Sequence, residues 1–311
     1  MDYQNLVFDA NNLFWRSTST CISKFITYED VKLFIGGIQE FLKRVKEIQE
    51  TYGRGDSTVY FLFDNPFSQI NIRKIISEGK YKHPRKSKQV PEEIYKSLSI
   101  ITEILRLYSD NFILLKGDNL EADDLTYPLK KYLDSLKNGK TLFISADLDW
   151  SRNIDENNHW FNFQKIYTIS DFKEDYGFSP EKNRVKLWKA IRGDQSDNID
   201  SSVPYLPKDF LLHILETYQD VEDLFKRIRS DKFLSKAWID KIILNKDKIR
   251  VNYQLVDFIP VEKPIEQFFI PCQREPKQSR LWFSLLELPT ESWMETAESV
   301  KGTFFKRNKT I

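Results

Sequence analysis

Four short runs of apolar, β-branched and aromatic residues punctuate the first half of the chain: "NLVFDA" (5–10), "STVYFLFDN" (57–65), "FILLKGD" (112–118) and "KTLFISADLD" (140–149). Longer amphipathic patterns separate them, notably "DVKLFIGGIQEFLKRVKEIQETY" (30–52) and "EEIYKSLSIITEILRLYS" (92–109). A continuous apolar strand has no polar face to offer water, so both its faces must be covered, and alternation with helices supplies the cover. The pattern predicts an α/β fold: a central, mostly parallel sheet flanked by helices.

The predicted strands share a second property, which is that acid follows them. Asp9, Asp64 and the pair Asp147/Asp149 fall at carboxyl ends, and in open parallel sheets ligands bind along that edge. After the run at 112–118, "GDNLEADDLTYP" (117–128) crowds Asp118, Glu121, Asp123 and Asp124 together. Glu121 and Asp124 are three apart at the start of a predicted helix and so share a face, with Asp123 beside them. "RGDQSDN" repeats the device with Asp194 and Asp197.

Such crowding is local, because 47 basic residues balance 46 acidic ones and the net charge is +1. Like charges about 4 Å apart repel by roughly 1 kcal/mol in water and about 4 kcal/mol at an effective dielectric near 20. A single acidic segment at a helix start would be ordinary, since the helix dipole returns about 0.3–1 kcal/mol. Several at equivalent topological positions point to cations held between them. Carboxylate oxygens without Cys or His select hard ions, Mg²⁺ or Mn²⁺.

A basic run follows Asp64. "RKIISEGKYKHPRKSKQ" sets Arg73, Lys74, Lys80, Lys82, Arg85, Lys86 and Lys88 against Glu78. A charge run is usually a solvated face. This one leaves the same sheet edge as the acids, where a polyanionic substrate would need its phosphates screened.

Other classes are disfavoured. Two cysteines, Cys21 and Cys272, cannot build a disulfide framework, and His83, His159 and His213 have no zinc-ligand spacing. The longest apolar runs fall far short of the roughly 20 residues that cross a bilayer, and the first residues do not read as a secretion signal. A cytoplasmic protein without membrane partners, monomeric, is the expectation.

Taken in order, "FDANNLFWR", "FDN" followed by "YKHPR", "EADD", "SADLDW" and "YGFSPEKNRVKLWKAIRGDQSDN" resemble the motifs of the 5′-nuclease superfamily. That family comprises flap endonucleases, the 5′-exonuclease domain of bacterial DNA polymerase I, and phage 5′-exonucleases and ribonuclease H enzymes. The resemblance covers about residues 5–260, including "IRVNYQLVDF". It implies a PIN-like nuclease core over 1–195 with a helical arch at about 68–95. A mainly helical region would follow over 196–311, with a helix-turn-helix-like DNA-binding element at about 185–220.

The resemblance also implies roles. Asp9, Asp64, Glu121 and Asp123 would surround a first Mg²⁺ or Mn²⁺, and Asp124, Asp147, Asp149, Asp194 and Asp197 a second, with Asp123 shared. Two ions in such a site stabilise the attacking and leaving oxygens of an in-line displacement. Lys82, the lysine of "YKHPR", would lend charge to the scissile phosphate, with Arg73 or Lys74 as a second arch cation. Lys80, Arg85 and Lys86 would contact nucleic acid, and His83 would face solvent or phosphate. The implied activity is a 5′-3′ exonuclease and flap endonuclease leaving 5′-phosphates, in DNA replication or primer removal. Its substrate would be DNA with a 5′ end, a flap or a branch, and single-strand-binding or clamp proteins are candidate partners. A virus-encoded enzyme in a bacterial cytoplasm suits the size. The alternatives are a ribonuclease H acting on RNA·DNA hybrids and a non-catalytic branched-DNA-binding protein; a small PIN-type ribonuclease would leave the arch unexplained.

One stretch departs from the family. After "GDQSDN" the family continues with a glycine-rich turn whose backbone approaches duplex phosphates and helps hold K⁺. Here the text is "IDSSVPYLPKDF", without glycine. Tyr205, Leu206 and Pro207 do not readily supply positive φ or close backbone approach. The K⁺ site is therefore disfavoured, and Lys208, Ser201 and Ser202 become the candidates for gripping duplex. Among the aromatics, Phe61, Phe63, Phe143, Phe161 and Phe163 are expected in the core, whereas Phe14 and Trp15, just beyond Asp9, are placed to stack on a base. "RLWFSLLELPTESW" reads as a helix docked on the body, and "FKRNKTI" as a segment able to contact DNA or a partner.

Overall fold

The computed structural model describes residues 2–21, 24–28, 31–65, 72–77, 81, 92–273 and 275–288. The strands are β1 (Tyr3–Asp9), β2 (Ile26–Tyr28), β3 (Val31–Leu33), β4 (Gly53–Phe63), β5 (Phe112–Lys116), β6 (Thr141–Ile144), β7 (Asn158–Phe161), β8 (Ile166–Tyr167) and β9 (Phe269–Pro271). The helices of the first half are α1 (Ala10–Thr20), α2 (Ile35–Tyr52), α3 (Ile72–Ile76), α4 (Glu92–Tyr108) and α5 (Ala122–Leu136). The second half carries α6 (Ile169–Tyr176), α7 (Lys182–Arg192), α8 (Lys208–Thr217), α9 (Val221–Arg227), α10 (Lys236–Leu244), α11 (Lys246–Leu255) and α12 (Pro276–Leu285).

Seven strands form one sheet in the order β8-β7-β6-β1-β4-β5-β9. The inner pairs β7/β6, β6/β1, β1/β4 and β4/β5 are parallel, and only the edges, β8 and β9, run antiparallel. This is the mostly parallel sheet the apolar runs predicted. Its two faces read directly from strand alternation. Leu6, Phe8, Phe61 and Leu114 pack into one core beneath α1, α2 and α4, with the Phe8 and Phe61 rings stacked at 5.3 Å. Val7, Tyr60, Leu62, Leu115 and Phe143 enter the other, with α5 and the later helices.

The chain builds outward from β1 to β4 and β5, then returns to place β6 on the other side of β1. That reversal makes the crevice beyond the carboxyl ends of β1 and β6 a topological switch point. Asp9 ends β1, and Ser145 and Asp147 follow β6.

Several boundaries shift. The helix expected from 30 begins at Ile35, because 31–33 pair with β2 as a small antiparallel ribbon. The run at 140–149 keeps only four residues in the sheet before a 3-10 turn, Leu148–Asn153, carries Asp149 and Trp150 inward. Phe163 lies in the β7–β8 turn at φ 69, beneath the Arg16 guanidinium, and is not a strand residue. Among the described residues the C-terminal region is mainly helical, as expected, with one short strand. β9 joins the sheet against β5, and α12 packs on α4, where Ser279 donates to the Leu107 carbonyl at 2.7 Å. The tail from 289, including "FKRNKTI", lies outside the described residues, as do Lys80, Lys82, His83, Arg85, Lys86, Lys88 and the Lys74 side chain.

Candidate metal centre

The acids are fixed by the ends of the elements that carry them. Asp9 is the N-cap of α1: its Oδ1 accepts from the Asn12 amide at 2.9 Å, while Oδ2 accepts from the Ser145 hydroxyl at 2.8 Å. Ser145 thus ties β6 to β1 across the switch point. Asp64 accepts from the Ala122 amide at 2.8 Å and so caps α5 from a neighbouring strand. Trp150 Nε1 donates to Asp123 at 2.6 Å. Asp147 caps its 3-10 turn by accepting from the Asp149 amide at 2.9 Å. Gly193 lets the turn bearing Asp194 close, since at φ +81 a Cβ there would lie 2.5 Å from the Ile199 carbonyl oxygen.

These constraints bring two groups of carboxylates together. Oxygens of Asp123, Asp147 and Asp149 lie within 4.8 Å of one another, as do those of Asp149, Asp194 and Asp197. Asp149 belongs to both. The division expected from the sequence is therefore redrawn: Asp147 groups with Asp123, and Asp149 is the shared carboxylate.

Side-chain cations account for much of the tolerated repulsion. Lys189 of α7 is buried with its Nζ 2.8 Å from Asp149, 2.7 Å from Asp194 and 3.6 Å from Asp147. Arg152 places Nη2 2.7 Å from Asp149 and donates to the Val256 carbonyl at 2.7 Å. Arg73 of α3 is 4% exposed. It donates to Asp124 at 2.6 Å, to Glu121 at 3.1 Å and to the Asp257 carbonyl at 2.7 Å. None of these roles follows from residue type alone, although Lys189 and Trp150 lie inside the quoted motifs.

The electrostatics divide the acids. Burial, reinforced by the charge of Asp64, pushes the Asp9 carboxyl up to about 7. Burial and Asp149 likewise raise Asp147. For Asp149 burial acts upward too, but Arg152 and Lys189 outweigh it and hold the group below the usual carboxylate range. Asp194 follows the same pattern, with Lys189 outweighing burial. Lys189 is raised: burial opposes its charge, and Asp149, Asp147 and Asp194 prevail.

Two expectations change with the geometry. Asp124 is 1% exposed, and its oxygens accept from Arg73, from the Glu121 amide at 2.9 Å and from the Ile259 amide at 2.7 Å. It anchors the start of α5 and does not converge with the grouped carboxylates. Arg73, expected on the arch, is folded inward onto Asp124 and Glu121. Tyr81 completes this side, its hydroxyl lying 3.2 Å from carboxylate oxygens of both Glu121 and Asp197 and able to donate to either. Phe14 is fully buried against Phe41 and cannot stack on a base; Trp15 meets Tyr95 edge-on at 5.5 Å.

The cluster is able to hold a metal ion. Its donors are all oxygens, and among the described residues Asp9, Asp64, Asp123, Asp147, Asp149, Asp194 and Asp197 far outnumber the buried cations beside them. Asp149 Oδ1, although beside Arg152, makes no hydrogen bond there. An all-carboxylate set with excess negative charge fits a hard divalent cation. No helix among the described residues is long and apolar enough to cross a membrane.

The fold matches that of solved 5′-exonuclease and flap endonuclease structures. The bacteriophage T5 D15 protein, crystallised with metal ions, superposes with a TM-score of 0.62 at 18% identity, over 94% of this chain and 99% of that one. A complex of the T5 D15 flap endonuclease with DNA and metal ions gives 0.60 at 18% identity, with the same coverage. The catalytic core of Rad2 bound to a DNA substrate gives 0.52 at 12% identity, over 96% of this chain and 92% of that one. By sequence, DNA polymerase I of Caldicellulosiruptor bescii is 25% identical over 302 residues, which cover 92% of this chain and 32% of that protein. No family model matches the chain.

Proposed function

We propose that this chain is a divalent-metal-dependent 5′-3′ exonuclease and flap endonuclease that hydrolyses DNA phosphodiesters to leave 5′-phosphates. The observation that carries the reading is the sharing of Asp149 between two carboxylate groups at the switch point of a 5′-nuclease fold. Asp123, Asp147 and Asp149 would hold one Mg²⁺ or Mn²⁺, and Asp149, Asp194 and Asp197 a second, with Asp9, Asp64 and Glu121 completing the surround. When bound, two such ions stabilise the attacking and leaving oxygens of an in-line displacement. The chain's own part is to aim the donors: Ser145 and the Asn12 amide orient Asp9, Trp150 orients Asp123, and Lys189 keeps Asp149 and Asp194 ionised. The DNA complexes of the T5 and Rad2 proteins support DNA as the substrate class; replication or primer removal is the setting proposed from the sequence. The basic segment containing Lys82 would receive the 5′ end.

The test is cleavage of 5′-labelled blunt, flapped, single-stranded and RNA-primed duplexes, with and without Mg²⁺, beside an Asp147→Ala/Asp149→Ala variant. Cleavage is expected only with metal and intact acids, with products bearing 5′-phosphate. Cleavage persisting in EDTA, or equal rates in the variant, would reject the mechanism. Preference for the RNA·DNA hybrid would transfer the assignment to a ribonuclease H.

A further inference from the structure

Beyond Gly193, the connection from α7 to α8 has no glycine between Asn198 and Lys208, and the structure shows what replaces it. Asn198 and Tyr205 adopt left-handed backbone at φ 60 and φ 64. Tyr205, 92% exposed, has no packing to compensate a conformation that disfavours a side chain. The turn is held by buried Asn252, whose side-chain nitrogen lies 2.8 Å from the Asp200 carbonyl oxygen, 2.8 Å from the Ser202 hydroxyl and 3.2 Å from the Ala190 carbonyl oxygen. Two further carbonyls of the turn accept from lysines. Lys248 Nζ donates to the Ser201 carbonyl at 2.8 Å, and Lys241 Nζ to the Pro204 carbonyl at 2.9 Å.

We infer that Lys241 and Lys248 are built-in cations of a phosphate-gripping surface, and that duplex binding at this turn needs no particular monovalent ion. The inference rests on the DNA reading above. Carbonyl oxygens facing a polyanion repel it unless a cation stands between. An ammonium has three donors, so each lysine can satisfy its carbonyl and still offer two to a phosphate. Lys241 is steadied further by the Trp238 ring, 4.6 Å from its Nζ, which limits the freedom it would lose on binding. Lys208, at the first position of α8, adds charge on the same turn. A tethered ammonium is present at every salt composition, whereas a recruited ion depends on the identity and concentration of what is dissolved.

Fluorescence anisotropy of a labelled DNA duplex tests this, with Ca²⁺ in place of Mg²⁺ and ionic strength set by potassium or by tetramethylammonium chloride. The wild type should bind within about twofold in the two salts, because only screening by the medium acts on it. Lys241→Met/Lys248→Met should bind more weakly, with its log K against log salt slope flattened by about 1.8, or about 0.9 per lysine. Potassium, small enough to sit on the vacated carbonyls, should restore part of that loss where tetramethylammonium does not. Lys241→Arg/Lys248→Arg, which keeps the charge, should stay near wild type, separating charge from any effect on folding.

Wild-type binding about fivefold or more weaker in tetramethylammonium would overturn the inference, since screening alone does not separate the two salts. A methionine variant indistinguishable from wild type would also overturn it. Both outcomes leave the nuclease reading intact. Absence of duplex binding in either salt would remove both.

Discussion

Lys189 Nζ stands 2.8 Å from Asp149 and 2.7 Å from Asp194, so a lysine of α7 occupies the heart of the acidic cluster. A buried ion pair broken on one side leaves an uncompensated charge, at a cost of about 3–5 kcal/mol. Lys189→Met should therefore lower stability by about that amount in EDTA. If the folded acids bind divalent ions and the unfolded chain does not, saturating Mg²⁺ should recover much of the loss. Urea unfolding with and without metal measures it. An equal loss in both conditions would show that Lys189 and the metal do not neutralise the same charge.

Arg73 separates two readings. As an exposed arch residue its removal would change stability by no more than about 0.5 kcal/mol. The structure instead has it chelating Asp124, a carboxylate 1% exposed, and bracing the Asp257 carbonyl. Arg73→Met should then destabilise by about 3–5 kcal/mol, and Arg73→Lys should recover little, because an ammonium cannot reproduce the fork. The same unfolding experiment decides between them, and a near-zero change would return Arg73 to the arch.

The sheet was legible because alternation and apolar continuity are written in single strands: Leu6 and Phe8 point to one core and Val7 to the other. The acid-lined edge was legible for the same reason, since Asp9 and Asp64 stand where their strands stop. Less legible was the pairing across the site. Nothing in "EADD" distinguishes Asp123, which converges with Asp147, from Asp124, which turns toward Arg73 and the Ile259 amide 135 residues later. Such choices depend on tertiary partners arriving from elsewhere in the chain. Lys189 was hidden similarly, for a lysine on an amphipathic helix reads as solvent-exposed until Asp149 and Asp194 are seen around it.

Trp150 is completely buried, and its indole N–H reaches Asp123 at 2.6 Å. Groups that orient a metal-binding carboxylate typically change metal affinity by about 10–100-fold when removed. Trp150→Phe keeps most of the buried ring and deletes that donor. The concentration of Mg²⁺ giving half-maximal cleavage should rise by about tenfold or more, with a smaller change in the rate at saturation. An unchanged Mg²⁺ requirement would reduce Trp150 to a packing residue.

Away from the candidate metal centre, Asp231 knits the helices that follow the α7–α8 turn. Its carboxylate accepts from Tyr218 at 2.6 Å, from His213 at 2.8 Å, and from the amides of Phe233 and Leu234 at 2.8 and 3.0 Å. Burial pushes this carboxyl up, but those hydrogen bonds prevail and hold it down at about 2. An unfolded Asp titrates near about 3.9. The folded pKa is the depressed one, so the stability it contributes is full above about pH 4 and disappears as pH falls through about 2, amounting to about 2.6 kcal/mol at most. Asp231→Asn should be less stable than wild type by about 2 kcal/mol near neutrality, and the two should converge as pH falls from about 4 to about 2. Unfolding curves collected as matched pairs across that window measure the difference directly, free of whatever else acid does to the fold. A gap that stays constant down to the lowest pH would mean that the carboxylate's charge contributes nothing and that only its shape matters.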